Sequence, residues 1–462
     1  MLFAWQNRIL RLVSAAGATE AGSFLDSIVG QRFLADGRVV ATRRVIEPEV
    51  RGLVERLGMQ SPPPLMLEHD RIPFPSFPYE WPAEMLHAAG ALTVDLAEEA
   101  LEAGFGLKDA TPYNVLFRGP APVFVDLLSF ERRDKLNRTW LAYAQFIRTF
   151  LLPLAASRHF GMAPGNILLQ RRDGLDPAEM YRWCGPLGRL RPPFLGLVTI
   201  PKWLSGAAGG GLAPGRMQLA ASPEQARFVL GSLFRSLRRT LNRVAPKAER
   251  GSAWTGYLES KSLYTRHQLA CKEEFVRQAV AGTRPDAVLD VGANEGHFSA
   301  ICARAGAAVV AIDSDPVVAG RLWRKARAEG LNILPLVVDV ARPSPAAGWR
   351  NRECSSFLDR ARGAFDLVAM LALLHHLLVT ERVPLHEIVD LAAELTTKFL
   401  LIEFVGPRDP MFQRIARGRE ALHADLTRGS FEAALRARFE LVRSLPIEGL
   451  DRCLYLACKK TR

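Results

Sequence analysis

The chain has 462 residues, enough for two or three domains, and its 48 % apolar and 23 % charged content belongs to a globular protein and excludes a disordered one. The net charge of +12 is carried by 50 arginines against 10 lysines, and no apolar run reaches the roughly 18 residues of a membrane span. Six scattered cysteines (Cys184, Cys271, Cys302, Cys354, Cys453, Cys458) with no C-x-x-C argue against a zinc site or disulfide framework and predict a reducing, cytoplasmic setting.

The N-terminal stretch MLFAWQNRILRLVSAAGA carries Arg8 and Arg11 where a secretory signal would be apolar, so it predicts a short amphipathic helix. Residues 31–46 predict a hairpin around Asp36-Gly37, and 47–57 a short helix. A Pro-rich stretch follows, too irregular for a long element. Residues 83–107 hold the longest helical pattern of this half, with Leu92, Leu96, Ala100 and Ala103 on one face. They lead into LKDATPYNVLFRGPAPVFVDLLSFE, residues 107–131. There Asp109 and Asn114 share a loop, and Asp126 ends the apolar strand 123–125. Carboxylate and amide oxygens suit a hard cation such as magnesium. The plain alternative is structural: Asp109 caps a turn, Asn114 bonds backbone and Asp126 closes a strand.

Residues 138–202 read as helices broken by prolines, and SGAAGGGLAPG at 205–215 is the best linker candidate. Residues 227–250 carry seven basic side chains against Glu249, interleaved with apolar residues at helical spacing. Such a helix suits nucleic acid or a membrane surface, but no aromatic platform accompanies the charge, which favours a solvated inter-domain face. The expected domains are 1–204 (α+β and helical), 205–252 (linker and basic helix) and 253–462.

The last domain opens with a helical stretch, 254–280, and then the stretch 287–315, AVLDVGANEGHFSAICARAGAAVVAIDSD. An apolar run ends at a glycine turn, a helical pattern follows, and a second apolar run ends in Asp313. This is the first half of a doubly wound, Rossmann-like α/β sheet, with backbone N–H groups brought close to a ligand at a helix N-terminus. Asp313, about 20 residues after the turn, is placed to grip a ribose diol. The turn reads Asp290-x-Gly292-x-Asn294-x-Gly296 and lacks the glycine pattern of a pyrophosphate cradle. Asp290 at its mouth repels phosphate and suits an amino-bearing or cationic ligand.

The stretch resembles motif I of class I S-adenosylmethionine (SAM)-dependent methyltransferases. The resemblance implies a seven-stranded sheet over 285–460 ending in an antiparallel strand pair, with SAM as cofactor and no required metal. It implies that Asp290, Gly292, Asn294 and Gly296 surround the methionine part and ribose, that Asp313 holds the ribose hydroxyls, and that Asp339 meets the adenine amino group. Tyr264 is a candidate for the segment that lids the cofactor, or for packing. Leu-His-His-Leu after the fourth strand resembles several small-molecule methyltransferases, so His375 or His376 is a candidate base, or both only shape the pocket. Trp349, Asn351 and Glu353, in an insert at 343–362, line the acceptor pocket or pack on the surface.

The helix, Asp109-x4-Asn114 loop, hairpin and Asp126 resemble the catalytic loop and metal-binding aspartate of protein-kinase-like phosphotransferases, which implies Asn114 and Asp126 as metal ligands. Departures are plain: no glycine-rich loop precedes them, Lys108 is the first lysine, and Arg43 or Arg44 would have to stand in for the usual phosphate-binding lysine. The whole chain resembles a bacterial two-part family that includes a rhizobial nodulation protein. The expected activity is methyl transfer by in-line displacement to an N, O or C atom of a small-molecule or glycan-type acceptor. The rivals are an RNA or ribosomal-protein methyltransferase using the basic helix, a bifunctional kinase-like protein, and a non-catalytic SAM binder. The sequence leaves the oligomeric state open.

Overall fold

A computed structural model describes residues 1–207, 218–247, 251–252, 254–256 and 264–460. Tyr257 and most of the linker candidate lie outside the described residues. The chain divides into two units, residues 1–78 with 83–247 and residues 79–82 with 248–462.

The first unit opens with strands β1 (Leu2–Trp5) and β2 (Arg8–Val13), joined by Gln6 and Asn7 at φ 46° and 68°. The amphipathic helix expected there is therefore a hairpin, because two adjacent left-handed residues make the tight turn that matches strand twist. Phe3, Trp5, Leu10 and Leu12 from its two strands pack against Val45, Val50 and Leu53. The hairpin expected at 31–46 is corrected too. Gln31 to Ala35 belong to the helix Ile28–Ala35, which Ser27 caps by accepting from the Gly30 N–H at 3.0 Å. Only β3 (Thr42–Arg44) remains extended, and it pairs with β4 (Leu65–His69) inside the Pro-rich stretch. The sheet order is β1-β2-β4-β3, antiparallel throughout.

The long helix spans Ala83–Glu102 and gives way at Gly104 (φ 83°) to β5 (Phe105–Leu107). A hairpin of β6 (Val115–Arg118) and β7 (Ala121–Phe124) follows, and β8 (Phe130–Arg132) pairs back to β5. Phe24 and Phe130 stack with ring centroids 4.1 Å apart, and Phe33, Phe105 and Phe124 pack around them. The basic helix, Pro223–Arg243, buries Leu230, Phe234, Leu237 and Leu241 and packs along Ala83–Glu102 within this unit. Arg238 reaches Asp95 and Glu98 on that helix, so part of its charge serves as an internal tie.

The second unit contains β9 (Ala287–Val291), β10 (Ala308–Asp313), β11 (Ile333–Val337), β12 (Phe365–Met370), β13 (Thr396–Val405), β14 (Phe439–Ile447) and β15 (Arg452–Lys459). Their order is β11-β10-β9-β12-β13-β15-β14, and only β15 runs against its neighbours. The order reverses direction between β9 and β12, so the loops leaving those strands part and open a crevice at their carboxyl ends. Among the described residues the stretch before β9 is helical over Arg266–Thr283, where Thr265 and Gln268 form a capping box, and Trp254–Gly256 is a turn. The segment 79–82 belongs to this unit, where buried Glu80 accepts from Arg360 and Ser344.

Gly296, at φ 72°, starts the helix His297–Arg304, and a Cβ there would lie 2.1 Å from Leu322 Cδ1 of the helix Pro316–Glu329. Both the left-handed backbone and the helix contact demand glycine. Gly296→Ala is expected to lose about 2–4 kcal/mol of stability, the sum of left-handed strain and overpacking, read from the midpoint of denaturant unfolding; an unchanged midpoint contradicts the packing described.

Candidate functional site

A cavity of about 400 Å³ opens at the carboxyl ends of β9, β10, β11 and β12. Asp290 ends up buried because β9 is covered on both faces. Its Oδ2 accepts from Ser299 Oγ at 2.5 Å, and burial raises its pKa to about 6, with Asp313 adding to the rise. Asp313 closes β10 and organises the turn: Oδ2 accepts from the Asn294 N–H and Oδ1 from the Asp315 N–H, each at 2.9 Å. Burial pushes its pKa up as well. Gly292 (φ 75°) and Asn294 (φ 51°) are both left-handed, which folds the turn back over the strand end. The Asn294 side chain donates to the Trp254 carbonyl at 3.2 Å, and Glu295 accepts from the Gly256 N–H at 3.2 Å, so the turn also holds the segment 254–256. Asp339, just beyond β11, accepts from the Ala341 N–H at 2.9 Å and pairs with Arg342 at 2.7 Å. Asp290, Gly292, Asn294, Asp313 and Asp339 all line the cavity, while Gly296 lies under the turn against Leu322.

Trp254, Tyr264, Phe298, Leu373, His376 and Leu377 line the cavity as well. Ala372, at φ 54°, turns the chain sharply after β12, and the next residues wind as a π-helix, His376–Thr380. The two histidine rings stay 4.3 Å apart, but only one of them reaches the cavity. His376 lines the cavity, stands edge-on to Trp254 at 5.4 Å, and is kept neutral by burial, which lowers its pKa. His375 does not line it: the ring is 1 % exposed, with both nitrogens buried and unpartnered among the described residues. Burial drives its pKa well below the ordinary histidine value. Trp349, Asn351 and Glu353 are also away from the cavity lining, and Trp349 is 77 % exposed.

Residues 230–406 match the family model of a methyltransferase domain. The C-terminal part of the chain carries a methyltransferase domain. SAM is the methyl donor of that family. The chain is 29 % identical over 460 residues to nodulation protein NoeA of Rhizobium meliloti (strain 1021), covering 98 % of this chain and 93 % of that protein. Solved structures it resembles include the N-methyltransferase NodS from Bradyrhizobium japonicum WM9 in complex with S-adenosyl-L-homocysteine (15 % identity, 48 % of this chain and 98 % of that chain, TM-score 0.32). Another is magnesium protoporphyrin IX methyltransferase (ChlM) from Synechocystis PCC 6803 with bound SAM (18 % identity, 46 % and 99 %, TM-score 0.30).

In the first unit, Asn114 Nδ2 donates to Ser129 Oγ at 3.3 Å and Ser129 Oγ donates to Asp126 Oδ2 at 2.7 Å. Asp109 stands exposed in the loop after β5. The cation on Asp126 is Arg11 of β2, at 2.7 Å. Arg43 and Arg44, expected as stand-ins for a phosphate-binding lysine, are engaged elsewhere: Arg43 on Glu49 and Glu68, Arg44 on Asp26. Among the described residues no group of three or more His, Cys, Asp or Glu is placed to hold a metal.

A buried charged cluster that sequence reasoning did not assemble adjoins the cavity, which Lys272 and Tyr264 line. Lys272 (1 % exposed) donates to Glu403 (0 %) at 2.6 Å, and Arg452 forks onto Asp409 at 2.7 and 3.0 Å. The Tyr264 hydroxyl sits between the pairs, donating to Glu403 and accepting from Arg452 at 2.6 Å and Lys272 at 3.3 Å. Burial pushes the Glu403 pKa up, but Lys272 and Arg452 outweigh it and hold the carboxylate below its ordinary range. The available signal was a Lys and a Glu in otherwise apolar stretches, Glu403 in the middle of LLIEFV. Lys272→Met or Glu403→Gln alone is expected to cost about 3–5 kcal/mol by stranding the partner's charge, whereas Lys272→Met with Glu403→Leu costs clearly less than the sum; additive losses in chemical denaturation count against a coupled buried pair.

Proposed function

We propose that the C-terminal domain transfers a methyl group from SAM to an N, O or C atom of a small-molecule or glycan-type acceptor, and that the protein works in the cytoplasm. The observation that carries this reading is the convergence of Asp290, Asp313 and Asp339 on one cavity that aromatic side chains and His376 also line. Three carboxylates make a poor site for a phosphate-bearing ligand and a good one for a ligand with an ammonium, a sulfonium, a ribose and an adenine. A volume of about 400 Å³ falls within the range of small-molecule sites.

Asp290, with Gly292 and Asn294, is assigned to the amino-acid part and ribose, and Gly296 to the packing that holds the turn in place. Asp313 spends one lone pair of each oxygen on a backbone N–H and keeps the others for ribose hydroxyls. Asp339 is assigned to the adenine amino group. When bound, SAM supplies a methyl group already activated by its sulfonium, so the chain's own contribution is orientation and exclusion of water. Trp254, Leu373 and Leu377 provide apolar walls, and His376, neutral and edge-on to Trp254, is the base available to an O–H or N–H acceptor. His375, shut away from the cavity, is assigned to packing. The reading gains support from the family-model match and from the likeness to NoeA along nearly the whole chain.

Calorimetric titration with SAM is expected to show binding that Asp313→Ala abolishes; no binding, or binding indifferent to that change, sinks the reading. Methyl-labelled SAM incubated with fractionated low-mass metabolites is expected to label a small acceptor, with His376→Asn slowing transfer on the order of 10²-fold at unchanged SAM affinity if His376 is the base.

The pH dependence follows from Asp290. Its folded pKa is raised to about 6 from 3.8, so the protonated form favours the fold, and stability from this group declines as pH rises from about 4 to about 6. Binding of a cationic ligand uses the ionised form and runs the opposite way. SAM affinity is expected to tighten roughly tenfold between about pH 5 and pH 7, and Asp290→Asn to flatten that rise. A pH-independent affinity in the unaltered protein removes Asp290 from the site.

A further inference from the structure

We infer that the outer face of residues 177–203, in the first unit, docks on an anionic lipid surface. This stretch folds as helices Pro177–Trp183 and Pro186–Arg189, a π-helical turn Leu195–Thr199, and the start of the helix Ile200–Ala207. Tyr181 binds them together: the Arg189 guanidinium lies 4.0 Å and the Lys202 ammonium 5.5 Å from its ring centroid. Arg189 also donates to the Tyr181 carbonyl at 3.1 Å, and the Thr199 hydroxyl donates to the Arg189 carbonyl at 2.7 Å. The inner face is an ordinary core face, with Met180, Cys184, Phe194, Leu197 and Val198 buried.

The outer face is the unusual one. Trp183, Leu187, Leu190, Ile200 and Trp203 are all exposed, Leu187 to 73 % and Trp203 to 55 %. Single exposed apolar residues are ordinary; five on one small packed group of helices are a surface looking for a cover. The charge says what covers it. From Met180 to Trp203 the sequence contains no Asp or Glu, while Arg182, Arg189, Arg191 and Lys202 stand among the apolar residues. Cations with tryptophan and leucine and without acids fit a layer whose headgroups are negative and whose interior is apolar. Tryptophan settles at that boundary, and long basic side chains reach back to the headgroups. Nucleic acid fits less well: Trp183 and Trp203 can stack on bases, but Leu187, Leu190 and Ile200, exposed beside them, gain nothing there and are covered only by an apolar layer. No described helix is long and apolar enough to cross a membrane, so the contact is peripheral.

Co-sedimentation of the full chain with vesicles tests this. Phosphatidylcholine vesicles containing phosphatidylglycerol are expected to pellet the protein, more so at low salt, and pure phosphatidylcholine vesicles to leave it in solution. The double variant Leu187→Glu with Leu190→Glu, and separately Arg182→Glu with Arg191→Glu, are each expected to weaken binding at least about tenfold with melting temperature unchanged, because these side chains are exposed. Equal pelleting by neutral vesicles, no pelleting by anionic ones, retained binding in either variant, or displacement of the protein from vesicles by RNA overturns the inference.

Discussion

Two buried ion pairs of the second unit, one of them reaching the cavity through Lys272, set its geometry. Lys272 comes from the helix before β9, Glu403 from β13, Arg452 from β15, and Asp409 from the loop that follows β13. Each charge removed from water costs several kcal/mol unless its partners are well placed. Here every one is: Asp409 also accepts from the Met411 N–H at 2.9 Å, and Lys272 lies about 5 Å over the rings of Tyr264 and Phe298. Apolar residues of equal volume could close the same space. They would not fix which way Tyr264 faces, and Tyr264 is part of the cavity wall. The cluster therefore contributes orientation more than stability, tying the last antiparallel strand, the leading helix and the pocket surface to one arrangement.

The cavity itself is under electrostatic tension of the opposite kind. Burial raises the pKa of both Asp290 and Asp313, and Asp313 raises Asp290 further. Lys272 relieves Asp290 only in part, being already committed to Glu403. A positively charged ligand lowers the energy of this wall in a way water cannot, which ties the affinity of the site to its own discomfort when empty of charge. The glycine turn allows it: with Gly292 and Asn294 left-handed, Asp313 reaches backbone N–H groups on both sides and stays ionisable at the strand end.

The second unit was legible because a mostly parallel sheet covered on both faces writes itself as apolar runs ended by turns and acids. The strands and the acids that end them were readable from such runs, whereas the closing pair came only with the resemblance to class I methyltransferases. Two things stayed hidden. Lys272, Glu403, Asp409 and Arg452 are far apart in sequence, and a charged residue at a core position looks like one at the surface until its partner is known. That only His376 of the two neighbouring histidines reaches the cavity depends on a left-handed alanine and a π-turn, neither of which has a sequence signature. In the first unit the misread elements were short. Gln6-Asn7 is a weaker hairpin signal than Asn-Gly, and Ile28–Ala35 has too few residues for its helical period to outweigh the Asp36-Gly37 turn beside it.

The excess of arginine illustrates how little a total charge says about partners. Arg8 bridges Glu68 at 2.6 Å and Glu49 at 2.7 Å; Arg38 bridges Glu99 at 2.5 Å and Asp36 at 2.8 Å; Arg238 joins Asp95 and Glu98. A planar guanidinium serves two carboxylates at once, which an ammonium does poorly, so arginine was chosen here as a brace. The basic helix that stood out in the sequence is partly such a brace. From Met180 to Trp203, where acids are missing altogether, Arg189 still ties its helices through Tyr181, while Arg182 and Arg191 stand exposed with no carboxylate in the same stretch. The local balance of acids and bases, not the sum of +12, separates the arginines that build this protein from those available to something outside it.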